Sequence, residues 1–274
     1  LEEYGRSNVE TRTYPADGST MFGTQKSRPA WNVEMAELWE LKDGKKVRRL
    51  GHWESTPLNV AQDSDSADVT ADLIYVAGGN KRSDYDGLNV KGKIILTELQ
   101  PSAVSDIAVK ELGAVGILSY APNQRSAWWK EDETLVRWGH LASFRDYDTF
   151  GFMISLAEAE ALKSRMKNGE TIRLDAKVKA SRSKGEYSLV TATIPGTDPK
   201  VGQEEITFPC HLDHPRPGAN DNASGCVSLL EAARSLQKLI NDNRLPAPKR
   251  TIRFLFPAEI EGSLIYLNSH PEDV

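Results

Sequence analysis

The chain has 274 residues, with 34 Lys and Arg, 39 Asp and Glu, and a formal net charge of −5 at pH 7. This length allows a substantial buried core and about two domains. The small net charge and the scattered basic residues argue against nucleic acid as a partner. No apolar run approaches the roughly 20 residues of a membrane span, so we expect none, and the sequence leaves oligomerisation open.

The first two thirds of the chain predict a compact unit built on β-α-β connectivity. Residues 1–55 are rich in Trp, Glu and turn residues, with an apolar-periodic stretch over 31–41, and are too short to form a domain alone. A helix is predicted to end at Gly113, where glycine suits the left-handed C-cap. The predicted elements that follow residue 69 are strands over 71–77, 92–97, 114–120, 151–155 and 171–180, and helices over 102–112 and 156–168.

The final third changes character after a boundary that we place near 181–187. Strands are predicted over 187–194, 205–211 and 250–256. Between the last two strands lies a helix whose apolar residues recur with a period of 3.6: Val227, Leu230, Ala233, Leu236 and Ile240. Strand, helix and strand in this order predict an α/β fold with a mostly parallel sheet, in which the chemistry lies beyond the carboxyl ends of the strands.

Two cysteines, Cys210 and Cys226, lie in segments that we expect to be buried. Two residues do not form a disulfide framework, so we interpret them as free buried thiols. The chain begins at Leu1 without an initiator Met or an apolar leader, and we expect any signal peptide to be cleaved or to lie outside this sequence.

Polar residues with metal-binding chemistry follow two of the predicted strands. His211 and Asp213 come directly after one strand, where alternation places both on the same face. Such an imidazole can bind a metal while the carboxylate orients it. Asp221 begins the following helix; we interpret neighbouring Asn222 and Ser224 as helix caps, but Asp221 as a ligand.

Two carboxylates, Glu259 and Glu261, follow the strand that ends near Phe256. In extended backbone they point to the same side and can serve one site as ligand and general base. Imidazole and carboxylate ligands without thiolate suit a catalytic zinc ion. We therefore predict that His211, Asp221 and one of the two glutamates converge.

At these residues the chain resembles the M28-type co-catalytic zinc aminopeptidases. The segments that carry the resemblance are 211–213 (His-Leu-Asp), 218–225 (Gly-Ala-Asn-Asp-Asn-Ala-Ser-Gly), 229–234, 250–254, 258–259 and 262–266. The resemblance implies a peptidase acting on peptide substrates with two Zn²⁺ per complete site. It implies that His211 binds one zinc, that Asp221 bridges both and that Asp213 orients a ligand. One glutamate is then the base, assigned to Glu259, and another carboxylate, assigned to Glu261, binds the second zinc.

The chain departs from the family pattern in three ways. The family has adjacent glutamates, whereas this chain has Glu259-Ile-Glu261, so either glutamate can fill either role. His214 is a second candidate ligand. The family also needs a further Asp and a final His downstream, while only His270 follows the glutamates here; we expect the chain to be a fragment that does not hold two zinc ions alone.

Residues 60–180 similarly resemble a protease-associated domain, marked by the segments 84–96 and 113–118. We therefore expect a peptidase domain formed by residues 1–55 and 187–274, with a protease-associated domain over 56–186 inserted. We predict that the inserted domain carries no catalytic residue and that its loop with Trp128, Trp129 and Trp138 touches substrate, with packing of these rings as the alternative. The resemblance favours a secreted or periplasmic protein. Rival functions are a non-catalytic peptidase-like scaffold and glutaminyl-cyclase-like amide chemistry.

Overall fold

The computed structural model describes residues 8–121 and 132–271. Its strands, in chain order, are β1 (Glu10–Ala16), β2 (Met21–Phe22), β3 (Gln25–Lys26), β4 (Ala30–Lys42), β5 (Lys45–His52), β6 (Ala67–Tyr75), β7 (Ile94–Thr97), β8 (Gly116–Ser119), β9 (Gly151–Met153), β10 (Arg173–Ser183), β11 (Gly185–Ile194), β12 (Glu205–Pro209) and β13 (Thr251–Phe256). The α-helices are α1 (Pro101–Ser105), α2 (Leu156–Lys167), α3 (Gly225–Asn241) and α4 (Glu261–Ser269). A wider π-helical turn continues α1 over Asp106–Glu111, and a wide, kinked turn with non-helical backbone angles at Asp221 and Asn222 precedes α3 over Ala219–Ser224.

The chain divides into two compact units. Unit 1 comprises residues 1–30 and 183–274, and unit 2 comprises residues 31–182. Both units combine a sheet with helices, which confirms the predicted α/β class.

Unit 2 is built on a seven-stranded sheet with the order β5-β4-β10-β6-β7-β8-β9. Strands β6 to β9 run parallel, and β7, α1 and β8 form the predicted β-α-β connection. Strand β7 is buried throughout, with Ile94 and Leu96 in one core cluster and Ile95 in another. Burial of both faces is typical of a parallel strand whose sheet is covered on either side.

The predicted boundary at residue 55 differs from the observed one, because β4 and β5 belong to the sheet of unit 2. Ala36 and Leu38 of β4 are buried in the larger core cluster of unit 2. Glu40 of the same strand is also buried and forms ion pairs with Arg48 and Arg165. The alternation over 31–41 therefore has the period of a strand whose apolar face packs within unit 2. The second boundary, at 182/183, lies within the predicted range.

Unit 1 contains a four-stranded sheet with the order β1-β11-β13-β12. Strand β12 runs parallel to β13, whereas β1 and β13 are antiparallel to β11. Over the described residues this sheet is therefore mixed rather than mostly parallel. The pair that precedes the candidate site, β12 and β13, is the parallel one, so its carboxyl ends meet at one edge as predicted.

Helix α3 packs on one face of this sheet and α4 on the other. Phe254 and Phe256 of β13 lie in a cluster with Ala233 of α3, whereas Leu255 packs with Tyr266 of α4. The predicted apolar stripe of α3 is confirmed at four positions, whereas Val227 is 63% exposed. In the described ranges, no helix is both long and apolar enough to cross a membrane.

Candidate active site

Two backbone hydrogen bonds extend the β12–β13 pairing beyond the strand ends. The amide of Cys210 donates to the carbonyl of Leu255 (2.9 Å), and the amide of Leu212 donates to that of Pro257 (3.1 Å). Because the strands are parallel and in register, the residues that follow them emerge at the same edge. This extension places the loop that starts at His211 beside the loop that carries the two glutamates.

Two imidazoles converge on one carboxylate at this edge. His211 Nε2 lies 3.0 Å from Asp221 Oδ1, and His214 Nε2 lies 3.4 Å from Asp221 Oδ2. His211 and Asp221 were predicted to meet, and His214 was the second candidate ligand. The structure brings all three together, although they come from different parts of a loop.

Backbone carbonyls orient both rings. His211 Nδ1 donates to the carbonyl of Asp213 at 2.9 Å, and His214 Nδ1 donates to the carbonyl of Arg216 at 2.5 Å. With Nδ1 used as a donor, each ring presents Nε2 to Asp221. A histidine that binds a metal through one nitrogen commonly has its other nitrogen fixed in this way.

The surroundings of His211 favour its charged form in the absence of metal. Partial burial lowers the pKa of His211, but the carbonyl of Asp213 and the charges of Glu259, Asp213 and Asp221 outweigh it, so the pKa is raised. The excess of negative charge that holds a proton here is the same field that attracts a cation.

The carboxylate of Asp213 links the two loops. Its Oδ1 accepts a hydrogen bond from the backbone amide of Glu259 at 2.7 Å and lies 3.8 Å from His211 Nδ1. The side chain therefore holds the glutamate loop, whereas the backbone carbonyl of the same residue orients His211. The sequence suggested only that the side chain orients the ligand.

The two glutamates differ in their surroundings. Glu259 lies close enough to His211 to raise its pKa. The carboxylate of Glu261 instead forms an ion pair with Arg28 at 2.7 Å and lies 3.4 Å from the hydroxyl of Tyr187. The structure thus places Glu259 near His211, whereas Glu261 is paired with Arg28.

His270, the last histidine of the chain, contacts other residues. Its Nε2 lies 3.0 Å from Arg12 Nη1 and 3.2 Å from the hydroxyl of Tyr14, and its ring packs on Tyr266. The imidazole of His270 therefore packs between residues of β1 and α4 and does not face Asp221.

Two glycines permit the tight path of the loop over residues 211–225, here called the ligand loop. A Cβ on Gly218 would lie 1.8 Å from the carbonyl oxygen of Asp221 and 3.0 Å from His214 Nδ1. A Cβ on Gly225 would lie 2.2 Å from Asn222 Oδ1. The close approach of the loop to itself therefore requires glycine at position 218, where the neighbouring atom is backbone, whereas at position 225 the neighbouring atom is the end of the Asn222 side chain.

Helix α3 begins without a side-chain cap. Neither Asn222 nor Ser224 caps it, contrary to the prediction, because the wide turn over Ala219–Ser224 precedes it and Ser224 Oγ donates to the carbonyl of Asn220. Asp221 has non-helical backbone angles (φ −112°, ψ 92°), and its peptide bond to Asn222 is cis. Its side chain contacts the two imidazoles, in agreement with the prediction that it does not act as a cap.

The two cysteines form a disulfide, so the prediction of free thiols is wrong. Cys210 and Cys226 have a Cα–Cα distance of 5.4 Å and are 5% and 6% exposed. The sequence did not reveal this pairing because the strand end and the start of α3 meet only through packing of the helix on the sheet. The loop between them contains His211, His214 and Asp221.

The loop lines an open cleft of about 440 Å³. Its donors, two imidazole nitrogens and a carboxylate, suit Zn²⁺ chemically. Among residues 8–121 and 132–271, however, no group of three or more His, Cys, Asp or Glu side chains is arranged to hold a metal ion. In this arrangement the imidazole nitrogens bind Asp221 directly.

A larger cavity, of about 620 Å³, lies in unit 2. It is lined by charged groups such as Arg165, which pairs with Glu40 and Glu170. We favour the smaller cleft as the active site because its histidines carry the chemistry.

The tryptophan loop of unit 2 is partly described. Trp138 is 40% exposed, stacks on His140 with ring centroids 4.8 Å apart, and donates its indole N–H to Gln62 Oε1. Trp128 and Trp129 lie outside the described residues, so substrate contact by this loop stays a prediction.

A comparison with known protein families finds a match to the part of the chain that carries the candidate site. Residues 190–268 match the sequence model of peptidase family M28. This M28 segment contains every candidate site residue, and the match confirms the resemblance inferred from the sequence. A search of curated proteins found no match.

Three solved structures with similar folds are peptidases. An aminopeptidase from Aneurinibacillus sp. strain AM-1 is 24% identical with a TM-score of 0.61, over 98% of this chain and 57% of that one. A peptidase M28 precursor from Shewanella amazonensis SB2B is 15% identical with a TM-score of 0.68, over 99% and 60%. BSAP, a zinc aminopeptidase from Bacillus subtilis, is 20% identical with a TM-score of 0.62, over 93% and 52%. The chain thus spans a little over half the length of these structures and shares their fold.

Proposed function

We propose that this chain belongs to a zinc-dependent aminopeptidase. The observation that carries the proposal lies within the M28 segment: two imidazoles, each fixed through Nδ1, aim Nε2 at Asp221 beside the loop of Glu259. Such preorientation is typical of histidines that bind a metal. The donor types fit zinc, so His211, Asp221 and His214 are the residues that would hold it.

A bound zinc ion would polarise the peptide carbonyl and acidify the attacking water. Glu259 takes the proton of that water and returns it to the leaving amine, the usual role of a carboxylate beside a catalytic metal. Asp213 holds the amide of Glu259 and the imidazole of His211 at a fixed separation. Asp221 addresses two imidazoles with its two oxygens, which suits a bridging carboxylate in a site for two zinc ions.

We assign the base to Glu259 rather than Glu261. The Glu261 carboxylate is held by Arg28, and using it as a base or a ligand would leave that guanidinium without this partner. We assign Glu261 a structural role at the start of α4. This assignment is our proposal for the two roles that the Glu-Ile-Glu spacing left open.

Two further properties are proposed with this activity. The disulfide supports an oxidising compartment, consistent with a secreted or periplasmic protein. Unit 2 is proposed to be a protease-associated domain that restricts which peptides reach the site. Its parallel strands β6 to β9 and the connecting helix support this interpretation.

The test compares Glu259→Gln with the matched variant Glu261→Gln in the full-length protein. We expect Glu259→Gln to lose at least about 100-fold in hydrolysis of a leucine anilide while retaining zinc, because general-base catalysis contributes on the order of 10²–10⁴-fold. Glu261→Gln should retain turnover and lower thermal stability.

The opposite ranking of the two variants would assign the base to Glu261. A wild-type protein that binds no zinc and hydrolyses neither anilides nor dipeptides would refute the proposal and favour a non-catalytic scaffold. Release of ammonia from N-terminal glutamine without peptide hydrolysis would favour the cyclase chemistry.

A further inference from the structure

The ligand loop is held in place by few buried groups of its own. From His211 to Gly225, the fifteen residues inside the disulfide, none is buried. The buried residues nearest to the loop are the two cysteines that flank it. Burial of apolar side chains therefore does not fix the loop between its ends.

The two halves of the site are attached to different elements. His211 follows β12 and is held by the backbone bonds of its neighbours to β13. Asp221 lies in the turn that precedes α3. The disulfide joins the end of β12 to the first turn of α3, and so fixes the separation of the elements that carry the imidazole and the carboxylate.

The disulfide also contacts the backbone of His211, one of the proposed metal ligands. Cys226 Sγ lies 3.2 Å from the carbonyl oxygen of His211, and Cys210 Sγ lies 3.7 Å from the same atom. The sulfur atoms thus pack against the backbone of the residue whose side chain faces Asp221.

We propose that the Cys210–Cys226 disulfide is a positioning element that keeps His211, His214 and Asp221 close together, so that breaking it weakens zinc binding while the sheet stays folded. The inference rests on the proposed function. A dithiol reductant would supply two electrons and two protons: the S–S bond breaks, two thiols form, and the dithiol closes to its own disulfide. Metal binding then has to order a loop that the cross-link had already restricted.

The experiment measures zinc affinity of the full-length protein by competition with a chromophoric chelator. The test variant is Cys210→Ala/Cys226→Ala, because free thiols in reduced wild-type protein would themselves bind zinc. The control is Phe256→Leu, which reduces packing in the same buried cluster but leaves the loop closed. We expect zinc affinity about 10- to 100-fold lower in the double variant, the range for residues that orient metal ligands, and near wild type in the control.

A second measurement covers the case in which the double variant does not fold. Hydrogen exchange of metal-free wild-type protein, with and without dithiol, should show faster exchange over 211–225 on reduction and unchanged exchange over β13. Equal zinc affinity in wild type and double variant, or unchanged exchange in the loop, would overturn the inference. Oxidised wild type that binds no zinc would instead refute the proposed function.

Discussion

At the scale of single residues, the geometry of the site depends on which atom of each side chain faces the cleft and which one bonds to the backbone. Both histidines donate Nδ1–H to backbone carbonyls. The orientation of the two rings therefore depends on main-chain atoms and not on the side chains of Asp213 and Arg216. Asp221 is central because its two oxygens address both rings, whereas Asp213 acts on the glutamate loop.

We therefore expect Asp221→Asn to lose more activity than Asp213→Asn. An amide cannot balance the charge of bound cations, so Asp221→Asn should release zinc and exceed the roughly 10- to 100-fold loss typical of residues that orient ligands. Asp213→Asn should remain within that range. Bound zinc and anilide hydrolysis measure both variants, and wild-type zinc content and turnover in Asp221→Asn would contradict the assignment.

The same variant has a consequence in the metal-free protein. Because the Asp221 charge helps to raise the pKa of His211, Asp221→Asn should lower it, which NMR titration of the imidazole detects. A pKa raised in the folded state stabilises the fold below the unfolded value and loses this contribution as pH rises through the folded value. The stability difference between wild type and variant should thus be largest at mildly acid pH, where the imidazole is protonated and carboxylates are still ionised, and fade at alkaline pH.

At the scale of elements, the entry into α4 is strained. Ile260 has φ 54° and ψ −65° and is 68% exposed, and the amide of Glu261 donates to the carbonyl of Glu259 across it at 2.5 Å. This geometry is close to the classic γ-turn, which a β-branched residue rarely adopts. The turn sets the angle between the Glu259 loop and the helix.

Glycine at this position should stabilise the protein relative to alanine. At ordinary positions Gly is less favourable than Ala by roughly 0.5–1 kcal/mol, but here the Cβ of Ala keeps the strain, which costs about 1–3 kcal/mol. We expect Ile260→Gly to be more stable than Ile260→Ala by about 1 kcal/mol in denaturant unfolding. An Ala variant equal to or more stable than the Gly variant would show that the turn is unstrained.

At the scale of the whole molecule, the candidate ligands all belong to unit 1. The ends of unit 2 join unit 1 at adjacent points, since a Cβ on Gly185 would lie 2.7 Å from that of Ala30. A short glycine linker can therefore replace residues 31–182 without stretching the remaining chain.

In the full-length protein, this replacement should leave zinc binding intact and broaden the range of peptide lengths that are hydrolysed. Zinc content and a series of peptides of increasing length measure the two effects, and circular dichroism checks folding. A folded protein that no longer binds zinc would show that unit 2 supplies a ligand.

The sequence by itself determined the local elements and the residue types of the site. The sequence pattern predicts strands β6 to β13 and helices α2 and α3, whereas β1, β4 and β5 are not predicted as strands. The motif over 218–225 indicates the M28 resemblance, and the predicted convergence of His211 and Asp221 is confirmed by their contact.

Only the tertiary structure decided how separated segments meet. The sequence pattern over 30–42 indicates one apolar face but not the sheet that covers it. Only the pairing of this strand with β10 assigns it to unit 2. The disulfide depends on α3 packing on the sheet, and the engagement of Glu261 depends on Arg28, 233 positions away. Such contacts join residues that no local periodicity relates, because they arise from how the chain packs rather than from the preferences of its segments.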